Sequence, residues 1–421
     1  MRILLLTHYY PPEVNAPAQR AAHHANEWVK AGHQVTVVTA APSHPYGIVY
    51  DGYKNKYFES VVDGVRVVRM RTYLGANSGF AKRTINYLSY FSSTLFNIRK
   101  FRQHDIVISS SPQFFCGLSG IIVKKFHKIP WILEIRDIWP DSILAVGAAN
   151  VGFTTKMVSL LARWAYKASD AVVSVSPGFN EHFDTYGVDK NKLHTIPNGI
   201  YPDSLQRNNI DLIPREMKQF DGRFIAAFIG TLGMAHGLTT ILTAAKLLKK
   251  NKNIGILLVG SGADYESLVK TKSDLQLDNV VILGQQSRER VAEIWNSVSA
   301  SIVHLKKNDT FKTVIPTKLL EGMAMKRPVI LGVEGTAKSI LESANAGISI
   351  EPENAEELAK AVTTLASDSK LGEFYAENGY RYVIEHFNRA KMANQYIVIM
   401  QSLVGCSFID KVENESSKQT N

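Results

Sequence analysis

Short runs of β-branched and aliphatic residues recur along the chain, and longer stretches with apolar positions at helical spacing separate them. In the first half these runs predict strands at 2–7, 34–39, 65–71, 105–110, 131–135, 171–176 and 192–196. Helical patterns fall around 19–31, 82–102, 112–126, 155–168 and 177–185. A polar stretch at 202–220, with Asp203, Asn208, Asn209 and Pro214, breaks the series and reads as a linker. Strands are then predicted at 224–229, 254–259, 280–283, 300–304, 328–331 and 347–350, with helical patterns between them. Strands alternating with helices predict an α/β fold with parallel sheets covered by helices. The expected division is a domain at 1–201 and a second at 202–388. A further helix at 389–405 is expected to pack back on the first domain, and the polar end at 406–421 is expected to be disordered.

Length agrees with two cores, because 421 residues exceed one ordinary domain. The composition is that of a globular protein, with 45% hydrophobic and 20% charged residues. Cys116 and Cys406 fit no disulfide or metal spacing, and a reducing cytoplasm is the expected compartment. The apolar start is far too short for a signal peptide, and no uncharged run approaches the roughly 18 residues of a membrane span.

Charge adds more. The net charge is +10, and no acidic residue occurs from Val65 to His104. That block carries Arg66, Arg69, Arg71, Lys82, Arg83, Arg99, Lys100 and Arg102, which points to an anionic partner. Within it, Ile85 to Ile98 is free of charge and rich in Tyr, Phe and Leu, bracketed by Lys82-Arg83 and Arg99-Lys100. A segment of this kind suits an anionic membrane surface, although a core helix with basic ends reads the same way. No recognition motif accompanies the charge, so nucleic acid is not an expected partner.

The candidate chemistry lies in loops that follow strands, where open α/β sheets bind ligands. After the first strand, Pro12 and Asn15 shape a loop into a helix whose first turn offers Arg20 to an anion. Arg136-Asp137 closes the strand at 131–135, and Asp137 is the best placed carboxylate of the first domain. Asn198-Gly199 is a turn at a domain edge. In the second domain, Gly230 to Gly237 includes Gly233 and His236, and its glycines let backbone N–H groups approach a pyrophosphate. Gly284 and Arg288 follow a later strand, within reach of a nucleotide base. Most informative is Pro316-Thr317-Lys318 followed by Glu321. Thr317 stands where an N-cap would be, Lys318 beside the positive end of the helix suits a phosphate, and Glu321 suits a sugar diol. The plainer alternative is a surface Lys318/Glu321 pair.

Tyr10-Pro11-Pro12, Ser174-Val175-Ser176, Ile196-Pro197-Asn198-Gly199, Phe228-Ile229-Gly230, Leu283-Gly284 and Glu321-Gly322-Met323-Ala324 with Pro328-Val329 occur in this order. Over roughly residues 1 to 405 the chain thereby resembles the GT-B glycosyltransferases of family 4. Arg136-Asp137-Ile138-Trp139-Pro140 and Pro316-Thr317-Lys318 are similar to the subgroup that makes bacterial O-antigen and capsule, including N-acetyl-L-fucosamine transferases. The resemblance implies two facing Rossmann-like, doubly wound domains with an interdomain cleft. It implies retaining transfer without a metal or other cofactor, from a nucleotide-sugar donor expected to be UDP-linked. The implied acceptor is an undecaprenyl-diphosphate-linked saccharide, met at the inner face of the bacterial membrane. Lys318, Thr317, Gly230, Gly233, His236, Gly284, Arg288 and Glu321 would then hold the donor, and Asp137 and Arg136 would position the reacting sugars.

The departures from the family pattern matter too. Thr231 and His236 stand where the family often has a basic clamp, and Thr313 stands in place of the first Glu of its carboxylate pair. More of the phosphate charge therefore falls to Lys318, and sugar contacts would have to come from Thr313, Lys312 or backbone N–H groups. A nucleotide-sugar 2-epimerase and a non-catalytic sugar-nucleotide-binding module are the competing readings. The first would need paired carboxylates, which the sequence does not offer.

Overall fold

The structure is a computed structural model that describes the chain except for Pro45 and residues 76–79, 112–113, 139–151, 201–214 and 420–421. The side chains of Arg83, Arg288 and 407–419 lie outside the description too. So do Trp139-Pro140 and residues 202–214 of the proposed linker, whose remainder, Arg215–Phe220, is a short 3-10 helix with Met217 and Phe220 buried. Two compact units emerge, one from Met1–Asn198 with Arg389–Asn421 and one from Gly199–Asn388.

The first unit begins with β1 (Arg2–Leu6), α1 (Ala16–Lys30) and β2 (Gln34–Ala40), followed by β3 (Phe58–Val62) and β4 (Val65–Met70). Next come α2 (Phe80–Phe96), β5 (Ile106–Ser110), α3 (Phe114–His127) and β6 (Trp131–Ile135). It continues with α4 (Phe153–Ala168), β7 (Ala171–Ser174), α5 (Asn180–Thr185) and β8 (Leu193–Thr195). The strands form one sheet in the order β3-β4-β2-β1-β5-β6-β7-β8. All neighbours are parallel except β3, which pairs antiparallel with β4. Strand β3 was not anticipated. It is an edge strand, exposed along most of its length, so it lacks the apolar run that marks the others.

Ile3, Leu5, Val35 and Val37 present one face of this sheet to Ala21, Ala25 and Trp28 of α1. The terminal helix α13 (Arg389–Gln419) closes the same core with Met392, Tyr396 and Met400. Its backbone continues to Gln419, so it enters the polar stretch expected to be disordered. Lys, Glu and Gln there are good helix formers, which the hydropathy pattern does not register.

The second unit opens with β9 (Phe224–Ile229), α6 (Thr239–Leu248), β10 (Ile254–Val259), α7 (Tyr265–Asp274), β11 (Val280–Leu283) and α8 (Arg288–Ser297). It goes on through β12 (Ala300–His304), α9 (Thr317–Ala324), β13 (Val329–Gly332), α10 (Thr336–Ala344) and β14 (Gly347–Ser349) to α11 (Ala355–Ser367) and α12 (Ser369–His386). Its sheet is parallel throughout, in the order β11-β10-β9-β12-β13-β14. Leu242 and Leu358 cover one face, and Leu319, Leu320 and Val383 belong to a core over β12 and β13. The unit starts three residues earlier than expected because the Ile200 N–H donates to the Phe387 carbonyl at 2.8 Å.

Sequence order reverses between β1 and β5 in the first sheet and between β9 and β12 in the second. In open α/β sheets such switch points leave a crevice at the carboxyl ends of the strands.

Candidate active site

At the second switch point, β9 runs into Gly230 and β12 ends in His304. His236 and His304 are locked together across it. The His236 Nδ1–H donates to the His304 carbonyl at 3.2 Å, and the His304 Nδ1–H donates to the His236 carbonyl at 2.6 Å. The Glu353 N–H donates to His304 Nε2 at 2.9 Å. Since carbonyls only accept, both rings carry their proton on Nδ1. The lone pair of His236 Nε2 therefore faces the Lys318 ammonium, at 3.5 Å the outer limit of a hydrogen bond. Burial first, and then the Lys318 charge, lower the His236 imidazole to about 4, so it stays neutral.

Lys318 comes to this point from the first turn of α9. Pro316, not Thr317, occupies the cap position, and α9 has no side-chain cap hydrogen bond. Thr317 is instead the first helical residue. The Lys318 ammonium lies 5.0 Å from the centre of the Phe228 ring, a cation–π contact. Burial lowers it to about 8, opposed by the Glu321 carboxylate one turn further along. Gly230 makes the room: a Cβ there would lie 2.2 Å from Lys318 Cε, and its φ of +142° is one that side chains rarely adopt. A Cβ at Gly233, by contrast, would meet only the Thr231 methyl, at an ordinary 3.5 Å, and the backbone there is extended. The loops after β9 and β10 are knitted together, with the Leu232 N–H donating to the Ser261 carbonyl.

Gly284 and Gln286 follow β11, where Gln286 Nε2 donates to the Gly284 carbonyl. The backbone of Arg288 opens α8 behind the Ser287 cap. Thr313 directs its hydroxyl to the Thr310 carbonyl, and Lys312 pairs with Asp309 at 2.8 Å. In the first unit, Arg136 and Asp137 follow β6 at the carboxyl edge of its sheet. Asp137 is exposed, yet surrounded closely enough that dehydration raises its carboxyl to about 6 against the pull of Arg136. The Arg136 Nε is buried without a hydrogen-bond partner. Among the described residues no group of three or more His, Cys, Asp or Glu could hold a metal ion.

Residues 15–199 match the family described as Glycosyl transferase 4-like domain, and residues 209–382 match Glycosyl transferases group 1. The chain is a GT-B glycosyltransferase of the hexosyltransferase class. It is 24% identical to WcaI of Escherichia coli K12, a protein named for colanic acid biosynthesis, over 86% of this chain and 91% of that one. In fold it is similar to sucrose-phosphate synthase of Thermosynechococcus elongatus, with a TM-score of 0.74 at 17% identity over 96% and 99% of the two chains. Anabaena HepE, solved with UDP, gives 0.68 at 14% identity over 96% and 100%.

One side chain of the glycosyltransferase does not stand where the sequence put it. Arg20 is no open anion receptor. It is 6% exposed, with Nε 2.8 Å from Glu134 Oε1 and its terminal nitrogens on the Ile196 and Pro197 carbonyls and Asn198 Oδ1. Burial works to raise Glu134, but Arg20, Arg136 and the Ser110 hydroxyl hold it at about 2. Tyr396 of α13 donates to the same carboxylate, pinning that helix to the sheet. Asn15 caps α1 by accepting from the Ala18 N–H, and Pro12 is exposed in the preceding loop. Lys82 is exposed near the start of α2, whereas Arg99 and Lys100 lie beyond its far end. Among the described residues no helix is long and apolar enough to cross a membrane.

His304 and Glu134 escaped the sequence reading, and Phe228 entered it only within the Phe228-Ile229-Gly230 motif. Each is a polar or aromatic residue set within a short buried strand, the signal by which His304 and Glu134 stand out once those strands are drawn.

Proposed function

We propose that this glycosyltransferase is a retaining, metal-independent enzyme that moves a sugar from a UDP-linked donor to a lipid-diphosphate-linked saccharide in O-antigen or capsule synthesis. The observation that carries the reading is Lys318, an ammonium held in a dehydrated position against a neutral histidine, with Glu321 one turn away. A diphosphate arriving there supplies the missing counter-charge and restores the ammonium to full strength. As the bond between the anomeric carbon and the diphosphate oxygen breaks, Lys318 stabilises the charge that collects on the leaving group. The acceptor hydroxyl bonds to the anomeric carbon on the face the diphosphate vacates, and its proton passes to the departing phosphate. Glu321 accepts from the ribose diol, and Asp137 with Arg136 orients the sugars.

The likeness to WcaI supports the polysaccharide role, and the UDP complex of HepE supports the base. Peripheral membrane docking is supported by the outer face of α2, where Ile85, Leu88, Leu95 and Phe96 are exposed. Trp164 of α4 is exposed as well, with the Lys125 ammonium over its ring. Apolar and cationic groups together suit the cytoplasmic face of a bacterial membrane.

The test is release of nucleoside diphosphate from UDP-, GDP- and TDP-sugars in the presence of membrane acceptor, with and without EDTA, N-acetyl-L-fucosamine being the first sugar to try. UDP release that survives EDTA and disappears in a folded Glu321→Ala variant is expected. Near-normal turnover in that variant, or strict dependence on added metal, overturns the mechanism.

A further inference from the structure

A cavity of about 510 Å³ opens at the opposite end of the first sheet, against the amino ends of β1, β2 and β5. Arg2, Arg66, Arg99, Lys100, Arg102 and His104 are among the side chains that line it. They come from three places in the sequence. Arg2 starts β1, Arg66 lies in β4, and the remaining four follow α2 in the turn that leads into β5.

The charge there is only partly answered. Arg2 is paired with Asp105 at 2.7 Å and Arg66 with Glu59 at 2.7 Å. The Lys100 ammonium sits 3.5 Å from the centre of the Tyr57 ring. Arg99 and Arg102 have no ion-pair partner among the described residues, so at least two guanidiniums remain for a ligand. His104 reports the local field. Burial lowers its pKa first, and Arg66 and Arg2 lower it further.

We infer that this cavity is a second ligand site, which takes a phosphate-bearing anion either as a free phosphorylated solute or as the headgroup of a lipid. Its volume falls in the range of small-molecule sites, and planar guanidiniums bind phosphate oxygens in pairs. Strand β1 spans five residues, roughly 17 Å, between this end and the carboxyl edge where Asp137 lies. The ligand is therefore an anchor or an effector and not the reacting sugar.

The test is calorimetric titration of inorganic pyrophosphate into the full chain, with the Arg99→Gln/Arg102→Gln double variant and Lys318→Ala compared in parallel. Neither guanidinium has an internal ion pair to break, so the double variant should keep its fold and its thermal midpoint. Pyrophosphate binding should persist in Lys318→Ala, and adding the double substitution to that background should weaken it at least about tenfold. Binding left unchanged when the double substitution is added to Lys318→Ala, or complete loss in Lys318→Ala alone, overturns the site. The Lys318→Ala arm also keeps a failure here distinct from a failure of the donor site. Vesicles of phosphatidylglycerol then identify the source. Release of bound protein by pyrophosphate supports a headgroup in the cavity, and retention on the vesicles beside measurable pyrophosphate binding supports a free phosphorylated ligand.

Discussion

Lys318 holds its charge where water cannot fully solvate it, and that has a thermodynamic consequence. Its amine falls from the ordinary 10.5 to about 8 through burial. At about 1.4 kcal/mol per tenfold, the protonated form costs the folded protein at most about 3.5 kcal/mol. The side chain is partly exposed, so a penalty of roughly 1–3 kcal/mol is expected. The sign follows from the two titrations. Below about pH 8 both folded and unfolded chains carry the proton and the full penalty stands. Between about 8 and 10.5 the folded form has shed it while the unfolded form keeps it, so stability rises with pH. Lys318→Met keeps the stem over Phe228 and removes the charge. At pH 7 the unliganded variant should melt higher, by about 2–4 °C per kcal/mol in a unit of this size. The gain should fade toward pH 10.5 as the wild-type amine loses its proton. Saturating UDP at about 100 times its Kd should stabilise the wild type by about 2.7 kcal/mol and the variant by far less. Differential scanning calorimetry with and without UDP reads both effects. A variant that melts below the wild type, or keeps its UDP shift, refutes the assignment of Lys318 as a strained phosphate receptor.

Asp137, raised to about 6, should give the transfer rate an acid limb. If the ionised carboxylate is the working form, kcat/KM is flat above about pH 6 and falls tenfold per unit below it, and Asp137→Asn removes the limb. Persistence of the same limb in that variant would assign it to another group. Glu134→Leu should strand the buried Arg20 charge and destabilise the first unit by about 3–5 kcal/mol. Because Tyr396 loses its acceptor as well, hydrogen exchange should speed up at Met392–Met400, and unchanged protection there would sink the pinning role.

Strands β9, β10 and β12 begin and end where their hydrophobic runs do, because parallel strands buried on both faces have no polar alternation to blur their limits. Edge strand β3 carried a different signal, the Asp63-Gly64 pair, whose positive φ values of 52° and 79° make the turn into β4. Lys318 was legible because it stands on the first turn of a short helix. His304 was not, since its role depends on β12 lying beside β9, a pairing between segments some 75 residues apart. Arg20 misled for the same reason. Beside the first loop it looks like a receptor for an anion, and its anion is Glu134, 114 residues away.

Those two outcomes share one physical criterion. Arg20 and Glu134 are almost fully buried, but each has its counter-charge built in, and the carboxyl is held at about 2. A charge compensated this completely has nothing left to offer a substrate, and it serves to fasten α13 and the loop after β8 to the sheet. Lys318 at about 8 and Asp137 at about 6 are displaced the other way, toward their neutral forms. Folding has dehydrated them without supplying enough opposite charge, and a ligand that supplies it recovers the difference as binding energy. Among these four groups, the direction of displacement separates the charges that hold the first unit together from those that wait for a partner.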